Sequence, residues 1–444
     1  MSVSEMGRLN NPQAVLAAEP RVRVVPVLAL EAPDASLGQR AGFALLCLFT
    51  ISGYANEFAT RLFHVKAYIS TASWVLLPLL LLLSGNVLRA FRDPIGRLWA
   101  LFLAWILLAT PFSVWRGGSV TLLLDYIPHG WIQLYYFAAF AISVRHLRRL
   151  MFFLIASDVL LLIDCWWGGS MRTGRLEIPD SMFFRNANDL SLQLLIAVTQ
   201  FLYLLYQDGV WKRVAGGAGM AAALVFMLET GARGAFLATL MLGVGALALT
   251  KNRIRTILWA APVAAAALLV APSGVFHRVT LIGSEPDAVA ADALDQAALG
   301  SQTQRLALLR QSVKYALLHP LLGVGPGQFA VAASEELQGE GKPAPWLGTH
   351  NSYTEIASEC GIPAFLLYSA VIFLALRSNL RIYRRASGRE SDGVSALAFC
   401  LLASALAYAV DTLFFHVAYS SYLPAIAGLS IALRLALERG SATA

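Results

Sequence analysis

The stretch that decides the organisation of this chain is residues 304–361, which read QRLALLRQSVKYALLHPLLGVGPGQFAVAASEELQGEGKPAPWLGTHNSYTEIASECG. It is the end of the one long polar segment in an otherwise apolar protein. It opens with a basic helical pattern, continues through a glycine-rich turn, and places a single histidine, His350, at the start of the next apolar run. We interpret the rest of the chain as a scaffold that holds this segment at one face of a membrane.

The composition is typical of a membrane protein. Of the 444 residues, 57% are hydrophobic and only 14% are charged, whereas soluble domains carry about 25% charged residues. The net charge of +7 would favour a nucleic-acid partner in a soluble protein, but the basic loops that orient a membrane protein give the same excess. The four cysteines lie in or beside apolar runs without CxxC spacing, so neither a disulfide framework nor a zinc site is predicted.

The apolar runs predict an all-α polytopic membrane protein with about twelve transmembrane helices, each long enough to cross about 30 Å of hydrocarbon. Residues 1–40 are predicted to be a disordered cytosolic tail, 41–273 the first nine spans, 274–352 a periplasmic loop with short helices, 353–437 the last three spans, and 438–444 a second cytosolic tail. The spans fall near 41–58, 67–84, 95–112, 119–142, 149–168, 188–206, 213–230, 234–250, 256–273, 353–376, 394–415 and 419–437.

Basic residues in the short loops predict the orientation. With the N-terminus in the cytosol, the cytosolic loops hold more than twice as many Lys and Arg residues as the opposite short loops. The long segment 274–352 then lies outside the cytosol, which in a Gram-negative cell is the periplasm. The sequence therefore predicts a multi-pass protein of the bacterial inner membrane whose functional face is periplasmic.

Within the long loop, the pattern predicts a helix from about residue 302 to 318 that ends before Pro320. Arg305 and Arg310 flank its apolar stripe on opposite sides. A glycine turn over residues 323–327 follows and could expose backbone N–H groups. The predicted stripe consists of Leu306, Leu309, Val313, Ala316 and Leu317.

Polar residues collect toward the predicted outer side of the bundle. Ionisable groups at membrane depth are costly and usually face a cavity or a partner, so we expect a polar pocket in this half. Its candidates are Arg185, Asn186, Asn188, Asp189, Glu229, Arg233, Arg305, Arg310, His350, Glu355 and Glu359, with Asp125, His129, Asp164, Asp411 and His416 in or beside spans near that face.

Simpler interpretations remain open for these residues. Glu229 and Arg233 are four residues apart and could only pair at a helix end. Asn188 or Asp189 could only cap a helix, and the glycine sequence could be an ordinary turn. A histidine at a helix start, such as His350, more often caps or forms a hydrogen bond than acts as a base.

Several chemistries find no support in the sequence. It contains no HExxH, Walker A, GxSxG or GxGxxG motif, and no DxD pair to hold a metal-bound sugar nucleotide. We expect no metal and no cofactor. What remains is one histidine with several arginines, a set that suits an anionic, diphosphate-containing substrate held by guanidinium groups. The histidine would act as a general base on a hydroxyl acceptor.

Four pieces of the chain resemble the O-antigen ligase and polymerase superfamily, bacterial membrane enzymes that use glycans linked to undecaprenyl diphosphate. Residues 230–238 (TGARGAFLA) resemble its small-residue/Arg-Gly-Ala opening of a span. Residues 305–329 resemble its arginine-led helix followed by His/Asn-Pro-Leu-x-Gly-x-Gly, and residues 350–365 its His-Asn-x-Tyr…Glu-x-Gly segment. Residues 185–197 (RNANDLSLQLLIA) resemble an Asn-x-Asn-Asp-Leu stretch of some members.

The resemblance implies specific roles. Arg233 and Arg305 correspond to diphosphate-binding arginines, and His350 to the catalytic base on the acceptor hydroxyl. Glu359 occupies the family's acidic position, with a role in orienting an arginine or the acceptor. Asn351 is a further supporting residue of the predicted site. The residues before Arg233 are Gly-Ala where the family usually has a hydroxyl residue, so no hydroxyl role is carried over.

Three further residues are candidates by chemistry and position. Arg185 and Arg310 are predicted to add to the diphosphate site, and Asn188 to support it. Arg172, Arg175 and Arg185 could equally be interfacial anchors. Nothing in the sequence separates these alternatives.

The favoured hypothesis is an inverting, metal-independent glycosyltransferase that moves a glycan from undecaprenyl diphosphate to an acceptor hydroxyl on a lipid A core sugar. The first alternative is an O-antigen or exopolysaccharide polymerase, whose acceptor is a second lipid-linked glycan. The second alternative is a transporter or flippase for a lipid-linked glycan, and a structural or receptor role is the third. The predicted partners are these lipid-linked glycans and membrane lipid, with no nucleic acid.

Overall fold

The computed structural model of the chain describes residues 36–64, 69–172, 174–179, 181, 183–184, 186–249, 293–341, 346–386 and 392–442. Its α-helices are α1 (Leu37–Phe63), α2 (Ile69–Leu83), α3 (Pro94–Ala109), α4 (Arg116–Tyr126), α5 (Gln133–Phe140), α6 (Val144–Gly168), α7 (Ala187–Leu205), α8 (Val210–Glu229), α9 (Arg233–Leu249), α10 (Ala293–Leu318), α11 (Phe329–Gly339), α12 (Ser352–Ala386), α13 (Asp392–Asp411) and α14 (Tyr422–Ala442). Short 3₁₀ helices cover Val87–Arg92 and Thr110–Phe112, and a π-helical turn covers Ile127–Trp131. An antiparallel hairpin of β1 (Ser170–Arg172) and β2 (Arg175–Glu177) lies between α6 and α7.

The helices confirm an all-α membrane architecture. Within the described ranges, six helices are long and apolar enough to cross a membrane: Leu37–Arg61, Pro94–Phe112, Val144–Gly168, Ala187–Leu205, Ser352–Ala386 and Gly393–Asp411. Two shorter apolar helices, Thr71–Leu83 and Arg233–Leu249, coincide with predicted spans. The total of twelve spans and the periplasmic position of the long loop stay predictions.

Two parts of the predicted topology differ from the described fold or lie outside it. The span predicted at 119–142 is not one helix, because α4 and α5 are separated by the π-helical turn that contains Pro128. The span at 256–273 and most of the N-terminal tail at 1–40 lie outside the described residues.

Side-chain caps fix where several helices begin. Asp93 Oδ1 accepts a hydrogen bond from the Ile95 amide at 2.8 Å, with proline at the first position of α3. The cap of α7 is Asn186, whose Oδ1 accepts from the Asn188 amide at 2.8 Å. The suggestion that Asn188 or Asp189 caps this helix is therefore wrong, because Asn186 already fills that position.

Helix α12 packs against α3, α10, α13 and α14, and its backbone is broken at Gly361. This residue has φ 83° and ψ 174°, a conformation that is essentially restricted to glycine. The backbone groups freed by the break are satisfied by Pro320, by the glycine turn and by α3. The hydrogen bonds are Val324 N to Ser358 O (2.9 Å), Gly325 N to Glu359 O (2.8 Å), Trp105 Nε1 to Cys360 O (3.1 Å) and Ile362 N to Pro320 O (2.7 Å). Two of the four sequence pieces, residues 305–329 and 350–365, therefore form one structural unit.

Substitution of Gly361 is expected to disrupt this unit. A Cβ atom there would lie 2.1 Å from the Leu321 carbonyl oxygen, on a backbone that L-residues avoid. We expect Gly361→Ala to lower the free energy of unfolding by about 3 kcal/mol, measured by denaturant titration in mixed micelles. Gly339→Ala is the matched control, because no atom lies within 4 Å of its added Cβ. Equal stability of the two variants would contradict this account of the break.

The buried face of α10 is not the predicted one. Leu308, Ser312 and Tyr315 are buried, and Leu308 and Tyr315 pack with Val324 and Phe329 in a small core of their own. Of the predicted stripe, Ala316 is buried, but three residues are exposed, namely Leu306 (48%), Val313 (42%) and Leu317 (72%). The prediction was wrong because apolar residues lie all around this helix, and contact with α11 and α12 selects one face. Arg305 shares the inward face with Leu308 and Ser312, at helical spacings of three and seven.

Candidate functional site

His350 lies immediately before α12 in a fixed backbone conformation. Its φ is +52°, one of two positive values for non-glycine residues in the described ranges. Such conformations persist only where the surroundings impose them, and they cluster at functional sites. The next residue, Asn351, caps α12 by accepting from the Tyr353 amide at 2.9 Å. Its Nδ2 also donates to the Leu413 carbonyl at 3.0 Å, so Asn351 ties the helix start to the segment after α13.

The segment after α13 is fastened to the start of α12 by further hydrogen bonds. Ser352 Oγ donates to the Phe415 carbonyl at 2.8 Å and accepts from the Val417 amide at 2.8 Å. Glu355 Oε2 accepts from the Ala418 amide at 3.1 Å. As a result, residues 412–418 form a wall of the site beside His350.

A second imidazole, His416, lies in this wall. The rings of His350 and His416 are 5.0 Å apart between centroids and meet edge to face at 88°. The His416 ring packs over Gly348, where an added Cβ would lie 2.4 Å from Nε2. Gly348 is therefore required for the two imidazoles to come together.

Arg305 reaches the same place from the inward face of α10. Burial lowers the pKa of Arg305, and the attraction of the Asp411 carboxylate partly opposes this shift. Burial also lowers the pKa of His350 to about 4, and the positive charge of Arg305 adds to the effect. A basic group, an acid and an imidazole from three separate elements therefore interact electrostatically here.

Asp411, the last residue of α13, also contacts the start of α9. A Cβ atom on Gly234 would lie 3.0 Å from Asp411 Oδ1 and 2.8 Å from Phe414 Cβ. Arg233 directly precedes this glycine as the first residue of α9. The half-buried Arg233 therefore begins the helix that abuts Asp411.

Three buried polar atoms of this cluster have no hydrogen-bond partner in the described part of the chain. They are Arg305 Nε, His350 Nδ1 and Asp411 Oδ2. Buried polar groups are nearly always hydrogen-bonded, so an orphaned set in one place calls for an explanation. A polar ligand that enters the cluster would supply the missing partners.

The glycine turn does not present free amide groups, contrary to expectation. Glu359 Oε2 accepts from the Gly327 amide at 2.7 Å and its Oε1 accepts from the Phe329 amide at 3.1 Å. The amides of Gly323 and Gly325 are bonded to backbone carbonyls. The turn therefore cannot hold an anion with these groups. Its N–H groups hold the turn on α12, and the Glu359 carboxylate fastens this turn rather than an arginine.

The remaining candidates lie in different environments. Arg310 is exposed, and it lies about 140° around α10 from Arg305 by helical geometry. Asn188 lies in the first turn of α7, and its Oδ1 accepts from Arg175 Nη2 at 2.7 Å. Arg185 lies outside the described residues.

The sequence alone did not assign roles to Asp411, His416 or Arg175. Asp411 and His416 were recognised as polar residues at the end of an apolar run, but the sequence did not show which residues they contact. Arg175 was indistinguishable from an interfacial anchor. Only the contacts between remote segments show where these side chains lie.

The fold and the cluster define a multi-pass, mainly α-helical membrane protein with a buried polar site at the end of its bundle. Residues 218–369 match the family model described as O-antigen ligase. This match supports the O-antigen ligase and polymerase superfamily, which the four sequence pieces indicated. The matched region contains Arg233, Arg305, His350 and Glu359, whereas Asp411 and His416 lie beyond it. No curated protein matches the chain.

Proposed function

We propose that this protein transfers a glycan from undecaprenyl diphosphate to the hydroxyl group of a lipid A core sugar, at the periplasmic face of the bacterial inner membrane. The observation that supports this best is the cluster of buried, orphaned polar atoms on Arg305, His350 and Asp411. It lies at the junction of three elements, two of them within the O-antigen ligase match. A site at the end of a membrane bundle suits a donor whose lipid tail stays in the bilayer.

Arg305 and Arg233 are proposed to bind the donor diphosphate. Arg305 points inward with an unused Nε, and a guanidinium can hold two phosphate oxygens at once. Arg233 begins α9, and the N-terminus of a helix also favours an anion. Arg310, which is exposed, and Arg185 are proposed to make outer contacts with the same anionic group.

His350 is proposed to act as the general base. The acceptor oxygen attacks the anomeric carbon of the donor glycan from the side opposite the diphosphate, and the bond from that carbon to the diphosphate oxygen breaks. The acceptor proton moves to the His350 imidazole, and the leaving diphosphate keeps the bonding electrons. The arginines neutralise its growing charge, so the reaction inverts the anomeric configuration and needs no metal. Asp411 and His416 hold Arg305 and the His350 ring in place.

This arrangement couples the strength of the base to donor binding. In the free protein, burial and the charge of Arg305 hold the pKa of His350 at about 4, so the imidazole is neutral but weakly basic. A bound diphosphate would offset the charge of Arg305 and favour the imidazolium. The pKa of His350 should therefore rise in the complex with donor, which makes the base stronger when it is needed.

The pH dependence of the reaction tests this coupling. Activity requires neutral imidazole, so each rate parameter is lost as the pH falls through the relevant pKa. The value of kcat/KM reports the free enzyme and should be retained down to a pH near the pKa of about 4. The value of kcat reports the enzyme–substrate complex, so kcat should begin to fall at a higher pH than kcat/KM does. Steady-state rates of the purified protein between pH 4 and 8 measure both limbs, and coincident limbs would contradict the coupling.

The acceptor is tested by supplying substrates separately. Purified protein in closed lipid vesicles is incubated with the lipid-linked glycan alone and then with added lipid A core. A ligase forms product only when the core is present. Chain growth without the core would instead show a polymerase, and movement of the glycan lipid across the bilayer without any new bond would show a transporter. Turnover in EDTA and the anomeric configuration of the product test metal independence and inversion.

A further inference from the structure

Arg175, on strand β2, bridges two helices beside the proposed donor site. Its Nε donates to the Thr230 carbonyl at 2.7 Å, and its Nη2 donates to Asn188 Oδ1 at 2.7 Å. Thr230 follows α8, and Asn188 lies in the first turn of α7. Both contacts are short, charge-assisted hydrogen bonds, the stronger kind in proteins.

The Thr230 contact bears directly on Arg233. Residues 230–232 form the whole connection between α8 and α9, and Gly231 turns the chain with φ +61°. Thr230 is completely buried, and its hydroxyl donates to the Met227 carbonyl at 2.6 Å. A connection this short transmits the position of Thr230 to Arg233, three residues further on.

The segment that carries Arg175 is itself anchored. Leu176 and Ile178 are each 4% exposed. Beyond them, Arg61 Nη2 donates to the Pro179 carbonyl at 2.7 Å, and Arg61 is held in turn by Glu57 at 3.1 Å. The hairpin is thus fixed by two arginines, one on each side of its buried residues.

We propose that Arg175 is a positioning residue that holds residues 230–232, and through them Arg233, in the place from which the Arg233 guanidinium binds the donor diphosphate. The inference rests on the proposed function, because it needs Arg233 to bind the donor. A guanidinium is required at position 175, since its planar fork reaches acceptors on two elements at once, whereas an ammonium group is a point charge without that fixed geometry. The hairpin between α6 and α7 thereby becomes part of the support of the site.

The test measures binding of undecaprenyl diphosphate to the full chain in lipid nanodiscs. Arg175→Lys, which keeps the charge, and Asn188→Ala, which removes one acceptor, should each raise the Kd about 10-fold. Asn188→Asp retains an acceptor oxygen and should restore binding to within about 3-fold of the natural protein. Arg116→Lys, an exposed arginine at the start of α4, is the matched control and should leave Kd unchanged.

A double-mutant cycle separates positioning from direct contact. If Arg175 acts through Arg233, then Arg175→Lys should change the Kd less than about 2-fold in an Arg233→Ala background. If the losses of affinity from the two substitutions multiply in the double variant, Arg175 contacts the lipid directly, and the proposal is overturned. If Arg175→Lys binds with the Kd of the natural protein while Arg233→Ala binds more weakly, the inference is overturned but the proposed function is not. Normal binding by Arg233→Ala would remove the donor role of Arg233 and, with it, this inference. If Arg175→Lys does not fold, Asn188→Ala and Asn188→Asp decide, with a thermal unfolding midpoint measured for each.

Discussion

His350→Asn and His350→Ala are expected to reduce glycan transfer by about 10³-fold or more, since they remove the only proposed base from the acceptor. Asn tolerates positive φ better than most residues, so His350→Asn should keep the backbone conformation of +52° and the cap of α12. Binding of undecaprenyl diphosphate should be retained, because the arginines remain. Transfer is measured with purified protein, and folding by the thermal unfolding midpoint.

His319→Ala is the matched control for this loss. His319 is exposed at the end of α10, on the same polar segment as His350. Its removal should leave the transfer rate close to that of the natural protein. Transfer at a normal rate by a folded His350→Asn variant would show that the imidazole is not the base, and the proposed mechanism would then be wrong.

Arg305→Lys is expected to lower kcat/KM by about 100-fold although the charge is kept. Arg305 lies on the inward face of α10 and interacts electrostatically with both Asp411 and His350. Lysine offers a point charge without the planar fork, so it cannot hold a diphosphate oxygen pair and remain oriented by Asp411. Most of the loss should appear in kcat, because the arginine neutralises charge that develops as the diphosphate leaves.

Arg310→Lys provides the comparison on the same helix. Because Arg310 is exposed, its replacement should cost less than about 5-fold in kcat/KM, as expected for a solvent-screened contact. Similar losses at positions 305 and 310 would indicate a general need for positive charge on this helix. Full activity of Arg305→Lys would count against a specific diphosphate site.

The site could be predicted only in part, and individual residues show why. His350 and Arg305 were predicted because each lies in a piece of sequence with a recognisable pattern. The direction in which Arg305 points could not be predicted, because leucines lie on all sides of α10 and the sequence does not show which face is buried. Glu359 was expected near an arginine or the acceptor, but its partners are amides of a turn about thirty residues away in sequence.

The sequence by itself determined that this chain is a mainly α-helical membrane protein, where most of its helices lie, and which family it resembles. These properties depend on local composition and on short sequence patterns, which can be recognised without knowing which segments pack together. Tertiary structure alone decided that His416 meets His350, that Asp411 contacts the start of α9, that the turn after α10 enters the break in α12, and that Arg175 binds the Thr230 carbonyl just before α9. Those contacts join segments far apart in the chain, and hydropathy does not distinguish a helix face that meets lipid from one that meets protein.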